Sequence, residues 1–513
     1  METWFIIILS FCIAAIIKPL FFTKSHSKKK LPPGPSLLSS NFILLTNSLS
    51  ALEPILKKFK AKYGPLITLS IGSRPSIFVS EHELAHQILI QKGAVFSDRP
   101  RTFAVRNISS SSYGPTWRLL RRNLASEVLH PSRVKSYTWA RKWVLHILIN
   151  RLRKHEHEEA GGVKVIEHFT YGMFCLLVFM CFGEKFDETR INEIASAQRR
   201  FLLLIGSGRF NILGVFPRLG KILFRNRWKE LLQMRNNQEQ TLLPLIKARI
   251  ESVKPESREE SIVAYVDTLV NLQLPEGEGS NENNGKLTDK EMVSMCSEFL
   301  NAGTDTTSTA LQWIMANLVK HPEIQSKLYE EIVGVVGPPP RGEEESVINE
   351  EDLQKMPYLK AVILEGLRRH PPGHFVLPHR VMKEVEVQGY VFPQGATINF
   401  MVAEMGLDSK VWDDPMEFKP ERFLANEGSN GVFDISGSKG IKMMPFGAGR
   451  RICPGSDLAL LHLEYFVANL IWYFEWSAPD GSNVDLSEKV EFTIVMKNPL
   501  QAKISSRSEK LTI

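Results

Sequence analysis

The chain has 513 residues, 43% of them hydrophobic and 23% charged, with 63 Lys and Arg against 56 Asp and Glu. This balance describes a folded globular protein and excludes a disordered, collagen-like or small disulfide-stapled chain. Much of the net charge of +7 sits in Lys18, Lys24, Lys28, Lys29 and Lys30, opposed only by Glu2 up to residue 30, so the nearly balanced body offers no electrostatic footprint for nucleic acid.

Residues Thr3 to Phe22 (TWFIIILSFCIAAIIKPLFF) carry no charge before Lys18 and supply about the 20 residues needed to cross a bilayer core. A cleaved signal peptide is the alternative, but it places positive charge before the apolar run and a small-residue site after it. Here Glu2 precedes the run and the lysines follow it. The positive-inside rule therefore makes residues 1–23 an uncleaved transmembrane anchor and puts the remainder in the cytosol. Residues 24–36 form a basic, Pro-rich linker stiffened by Pro32, Pro33 and Pro35, and residues 37–513 form the body. Five cysteines without a Cys-x-x-Cys pair or zinc-type Cys/His spacing fit a reducing compartment.

In the body, strand-like runs occur at 66–69, 77–79, 385–391 and 397–400, and most of the rest has helical period. Two polar loops, 274–286 and 337–346, flank a long helix. Thr288 and Glu291 make a capping box, and Met292, Met295, Phe299, Leu311, Ile314, Met315 and Leu318 recur at helical spacing until His321-Pro322 ends the run. About 33 residues span about 50 Å, enough to cross a large domain. Its centre, Ala302-Gly303-Thr304-Asp305-Thr306-Thr307, is a poor helix former, so something besides packing is expected there.

The strongest chemical signal is Phe446-Gly447-Ala448-Gly449-Arg450-Arg451-Ile452-Cys453-Pro454-Gly455, followed by an apolar helical run. The glycines permit tight turns, and the cysteine falls just before a helix N-terminus, where backbone N–H groups and the helix dipole favour a thiolate. One thiolate without a second sulfur or histidine nearby suits an axial haem ligand better than zinc. On residue chemistry alone, a buried structural cysteine remains an equal alternative.

The same string resembles the haem-binding loop of the cytochromes P450, Phe-x-x-Gly-x-Arg-x-Cys-x-Gly, at every fixed position. Further signatures follow in that family's order. Trp117 to Arg121 resembles its Trp-x-x-x-Arg helix, residues 302–307 its oxygen-binding groove, Glu365 to Arg368 its Glu-x-x-Arg motif, and Pro420-Glu421-Arg422-Phe423 its arginine-bearing loop. The resemblance covers nearly the whole chain and implies a mainly α fold with a smaller β region, a single haem domain behind the anchor.

The resemblance also implies roles. Cys453 is the axial thiolate of haem b, and Phe446, Gly447, Gly455 and Ala302 lie around the haem. Trp117, Arg121, Arg380 and Arg451 match the partners of its propionates. Glu365, Arg368 and Arg422 form a buried architectural network. Thr306 and Asp305 are the candidates for delivering protons during oxygen activation, which argues for monooxygenation with external electrons. Taken singly, Arg121 reads as a solvated helix charge and Thr306 as a hydroxyl bonded to the preceding turn.

By the same analogy Phe299, Phe375, Val376, Leu377, Ile494 and Val495 line an apolar substrate cavity, although core packing explains these residues nearly as well. Electrons are expected from NADPH through a separate cytochrome P450 reductase, since too few residues follow Cys453 for a flavin module. Arg118, Arg122 and Lys442 are candidates for its basic docking patch, and the endoplasmic reticulum membrane is the expected location. Residues 368–375, 389–424 and 442–475 look closest to the plant microsomal P450 family numbered eighty-nine, some members of which are associated with chlorophyll-derived linear tetrapyrroles. The leading expectation is a hydroxylase of a lipophilic specialised metabolite. The alternatives are tetrapyrrole oxidation and a catalytically silent haem protein, which would be expected to lose Thr306, Asp305 or the Glu365/Arg368 pair. A Rossmann oxidoreductase is disfavoured by the lack of a Gly-x-Gly-x-x-Gly run after an early strand.

Overall fold

The computed structural model describes residues 30–46, 49–71, 74–100, 105–156, 162–210, 213, 217–252, 262–275, 285–340, 346–424, 433–479 and 483–507. The expected anchor, residues 1–23, lies outside the described residues. The chain divides into two units, one made of Met1–Thr102, Gly373–Trp412 and Asp434–Ile452, the other of Phe103–Pro372, Asp413–Phe433 and Cys453–Ile513.

The larger unit is helical and built on the helix Asp289–Lys320. Thr288 and Glu291 cap it reciprocally: the Glu291 N–H donates to Thr288 Oγ1 at 3.3 Å, and the Thr288 N–H donates to Glu291 Oε2 at 2.9 Å. At the other end His321 leaves helical geometry, and Pro322 opens the next helix, Pro322–Val336, where a missing N–H does no harm. The helix Val165–Phe182 is apolar and buried on every side from Gly172 onward and packs along this central helix. Among the described residues it is the one helix long and apolar enough to cross a membrane, yet most of it is buried inside the protein as a core element. Each of its buried Leu, Val and Phe side chains contributes about 1.5–3 kcal/mol.

The smaller unit is built on a four-stranded sheet of Leu66–Ile71, Arg74–Val79, Thr397–Phe400 and His379–Arg380, in that spatial order. Arg74–Val79 runs antiparallel to the first strand and parallel to Thr397–Phe400. Leu52 and Leu56 from the helix Leu49–Tyr63 pack with Ile67, Leu69, Phe78 and Met401 beneath it. The strand-like run at 385–391 is in fact a hairpin, Val385–Val387 paired with Tyr390–Phe392. Gln388 and Gly389 both have positive φ, 50° and 75°, which is the turn geometry that reverses a two-residue hairpin.

Candidate active site

In the larger unit, Cys453 stands just ahead of the helix Ser456–Tyr473, whose N-cap is Gly455. Burial pushes its thiol up, while the Gly455 N–H and the Arg121 guanidinium pull it down without cancelling that effect. Arg121 lies on the helix Pro115–Glu127, where burial lowers its pKa and the Cys453 charge raises it. Its surroundings alone thus do not favour the thiolate that the position ahead of a helix N-terminus suggested from the sequence, because burial outweighs those two attractions. Trp117, buried on the same helix, donates its single N–H to the Ile108 carbonyl at 3.1 Å. The backbone N–H groups of Ile108 and Ser109 donate, each at 2.8 Å, to the carboxylate of Glu298 on the central helix. Sequence reasoning passed over Glu298, which reads as an ordinary helix charge. Arg118 and Arg122 are exposed, and the Arg118 guanidinium lies over the Tyr113 ring at 5.1 Å.

The central helix remains helical through 302–307. From Thr307 to Val319 it is buried on every side, whereas Ala302 is exposed and Thr306, one turn further on, is half-buried, leaving the small side chains of this pair open. Thr306 Oγ1 donates to the Ala302 carbonyl at 2.6 Å. Gly303 has a packing reason as well: a Cβ there would come within 2.7 Å of Leu177 Cδ1 on the Val165–Phe182 helix. Asp305 faces elsewhere. Its Oδ1 accepts from Arg199 Nη1 at 2.6 Å and its Oδ2 from Thr493 Oγ1 at 2.8 Å. Arg199, from the helix Glu188–Gly206, also pairs with Glu491 at 2.6 Å. Burial raises the Asp305 carboxyl above the usual range, and Thr493 and Arg199 offset this only in part. Arg199 and Thr493, with Glu491 behind Arg199, are neighbours of Asp305 that no local motif announces.

Glu365 and Arg368 on Pro357–Arg369 form a two-pronged pair, with Nε and Nη2 of Arg368 at 2.7 and 2.8 Å from the two carboxylate oxygens. The Lys419 N–H and Arg422 Nε add bonds to Glu365 Oε1 at 2.8 and 3.1 Å. Phe299 packs its ring against Tyr265 at 5.0 Å between centroids. Ile494 is buried, and its carbonyl accepts from Trp313 Nε1 at 2.8 Å. Val495, half-buried, pairs with Lys489 in the hairpin formed by Glu488–Val490 and Ile494–Met496.

The smaller unit holds the rest of the expected site. Arg451 is buried and donates from Nε to the Ser97 carbonyl at 2.8 Å. Arg380 Nη1 meets Asp98 at 3.3 Å. Arg99 Nη1 donates to the carbonyls of Leu377 and Pro378 at 2.7 and 2.9 Å. His379, buried between this region and the Phe96 carbonyl, is driven down to about 3 by burial and by the charges of Arg99 and Arg451, so it stays neutral. Phe446 is half-buried. Gly449 has φ +71°, and a Cβ there would lie 2.2 Å from the Leu89 carbonyl, so only glycine fits. A Cβ at Gly447 would lie 3.5 Å from Val376 Cγ1, which puts Val376 beside the loop leading to Cys453. Phe375 packs edge-on to Phe78 with 6.2 Å between centroids, while Leu377 is 52% exposed. Lys442 is exposed.

These residues suit a haem. Cys453 is a single soft donor, and among the described residues no group of three or more His, Cys, Asp or Glu is gathered for a metal, as a closed zinc site requires. Within the larger unit, the small side chains of Ala302 and Thr306 stand open on the central helix, and the Arg121 guanidinium is a nearby positive charge for Cys453. Comparisons with known proteins agree. The family model for cytochrome P450 matches residues 32–505. The chain is 48% identical over 517 residues to cytochrome P450 89A9 of Arabidopsis thaliana, covering 98% of each chain. It is 28% identical over 510 residues to a beta-amyrin 24-hydroxylase of Glycine max, covering 96% of this chain and 95% of that protein. A zebrafish cytochrome P450 solved with progesterone has the same fold, with a TM-score of 0.71 at 23% identity, covering 89% of this chain and 99% of that one.

Proposed function

The chain belongs to the cytochrome P450 family of haem b monooxygenases, and from that premise we propose that it is a membrane-anchored hydroxylase of a bulky lipophilic specialised metabolite, driven by NADPH through a separate reductase. Bound through the Cys453 thiolate, the haem supplies the activation of O2 and the insertion of one oxygen atom into substrate. The chain's own contribution to catalysis is proton handling.

The observation that carries this reading is the placement of Thr306 and Asp305. Thr306 Oγ1, half-buried, donates to the Ala302 carbonyl and so keeps its lone pairs for accepting. The raised Asp305 carboxyl is suited to exchange protons nearer neutrality than an ordinary aspartate. Adjacent helix positions diverge by about 100°. Asp305 therefore serves Thr306 when its carboxyl turns away from Arg199. A silent haem protein would be expected to lose one or both of these groups.

The apolar character of Val376 and Leu377 in the smaller unit, and of Val495 in the larger, supports a lipophilic substrate. A relative named for hydroxylation of beta-amyrin, a bulky hydrocarbon-rich molecule, points the same way. A narrower reading, oxidation of a chlorophyll-derived linear tetrapyrrole, rests on the resemblance to the plant family numbered eighty-nine and stands second to the first. Arg118 and Arg122, exposed one turn apart, suit the acidic docking surface of a reductase. With residues 1–23 as anchor, the enzyme belongs on the cytosolic face of the endoplasmic reticulum.

The reduced, CO-bound protein is expected to absorb near about 450 nm, and Cys453→Ala to abolish the band. A screen of lipophilic metabolites and linear tetrapyrroles for shifts in the haem spectrum identifies the substrate class. With that substrate, Thr306→Ala is expected to lower product formed per NADPH, toward the lower end of the ~10²–10⁴-fold range of positioned proton donors because water remains as a substitute. Full coupling in that variant would remove Thr306 from the proposal.

A further inference from the structure

Within the smaller unit, the turn that carries Val376 and Leu377 is held from both ends. At one end Arg99 clasps the carbonyls of Leu377 and Pro378. At the other, His374 Nδ1 lies 2.5 Å from Glu53 Oε2 on the helix Leu49–Tyr63, more than 300 residues away in sequence. Both side chains are largely buried, 9% exposed for His374 and 13% for Glu53. The pair is embedded in a chain of charges, since Lys57 bridges Glu53 at 3.1 Å and Glu404 at 3.3 Å, and Lys60 meets Glu404 at 3.1 Å. Burial raises the Glu53 carboxyl, but His374 and then Lys57 outweigh it and hold it below the ordinary value.

The backbone at His374 is fixed as well. Its carbonyl accepts from the Val402 N–H at 2.8 Å, at the start of the short helix Val402–Gly406, and Phe375 bridges to Met401. A chain so tied has little freedom before residue 376, and Val376 is the side chain next to Gly447. Displacing His374 by even a fraction of an ångström shifts Val376 and Leu377 along that loop, because a packed interior transmits strain rather than absorbing it. Core packing explains Phe375 without help from an ion pair. It does not explain why a largely buried acid from a distant helix grips the residue immediately before the turn, when burying such a pair brings little net stability.

We propose that Glu53 and His374 are positioning residues that fix the Val376–Leu377 turn beside the Gly447 loop and so set the size and shape of lipophilic substrate the enzyme accepts. This rests on the reading above that the turn lines the substrate site. The pair touches neither substrate nor cofactor, and its effect is on selectivity rather than on proton handling.

The test uses the haem-loaded protein and nitrogen ligands of graded bulk, imidazole, 4-phenylimidazole and 1-dodecylimidazole, titrated by the shift of the haem band, together with amide exchange over residues 374–377. In Glu53→Leu and in His374→Leu the ratio of affinities for bulky ligand over imidazole is expected to change by about fivefold or more, and exchange at 375–377 to accelerate, with the CO-bound band unchanged. His374→Asn keeps an N–H for Glu53 at the place of the ring Nδ1 and is expected to return the ratio to within about twofold of the unsubstituted protein. The double variant is expected to be no worse than either single one, as for two residues acting as a unit. Should the Leu variants lose the haem band, Glu53→Gln, which keeps the shape of the side chain, supplies the comparison. An unchanged ratio and unchanged exchange in the folded variants would overturn the proposal, as would a ratio that His374→Asn fails to restore. A protein without a haem band before substitution counts against the site reading alone, and the exchange measurement still decides the brace.

Discussion

Two acidic residues of the larger unit, Glu365 and Asp305, are both buried, and each is bound by arginine, yet they are held in opposite ways. The side chains of Glu365 and Arg368 are 0% exposed, that of Arg422 is 9% exposed, and every bond to Glu365 comes from inside the protein. Arg368 is further tied to the carbonyls of Pro415 and Glu417, and Arg422 to those of Asp413 and Asp414. No partner can leave without stranding a buried charge, so the network is a fixed joint. Asp305 is buried, but its counter-charge, Arg199, is 44% exposed and already shared with Glu491. Water can replace such a partner at small cost. Saturation by buried donors makes an acid structural. A counter-charge standing in solvent leaves an acid able to move and to exchange a proton.

The contrast breaks most visibly at the fixed joint. Glu365→Ala leaves Arg368 buried without its carboxylate, and a loss of about 3–5 kcal/mol is expected from removing one member of a buried pair. Urea unfolding should show the midpoint falling steeply, and the haem-to-protein absorbance ratio should fall with it. A variant of near-normal stability and full haem content would show that Glu365 is no joint.

How far the sequence foretold these two acids differs for a physical reason. Glu365 and Arg368 are three apart on one helix, so their pairing is local and visible as a motif. The Cys453 loop is likewise legible, since its glycines and cysteine lie within ten residues. The partners of Asp305 lie 106 and 188 residues away, in Arg199 and Thr493, and nothing near either residue marks the contact. Helical period places Arg199 on a helix, where a lone arginine reads as a solvated charge. The Glu53–His374 contact is hidden in the same way. Gly303 was legible as an unusual residue, but its tight approach to Leu177 depends on how two helices cross. The hairpin at 385–392 was missed because Gln388-Gly389 interrupts an otherwise continuous strand-like run too briefly to break its period.

Thr493→Val sharpens the contrast from the side of the hairpin. It removes the donor to Asp305 Oδ2 and the contact with Thr309 Oγ1 at 3.2 Å while keeping the side-chain shape. A cost of about 1.5 kcal/mol is expected, the lower end for a hydrogen bond to a charged group. With one offsetting bond gone, burial drives the Asp305 carboxyl further up. Thermal unfolding at several pH values checks both parts, and a midpoint unchanged at every pH would make Thr493 a bystander.

Arg199→Gln is expected to have the smallest effect on stability, below about 1 kcal/mol, because the guanidinium is nearly half exposed and its attraction is screened by solvent. Its effect on pH dependence runs the other way. The Asp305 carboxyl already lies above its unfolded value, so the folded state binds the extra proton and stability falls as pH climbs from the ordinary carboxylate range through the raised value. Without Arg199 that interval extends to higher pH, and the variant should lose more stability than the unsubstituted protein between acid and neutral conditions. If Asp305 delivers protons once it is free of Arg199, product per NADPH in the variant should hold up to a higher pH before declining. Glu365 offers no such lever, since none of its partners can be released without unfolding its surroundings. Coupling and stability profiles that coincide with those of the unsubstituted protein would place Asp305 with Glu365, as a second structural acid, and leave Thr306 to work with water alone.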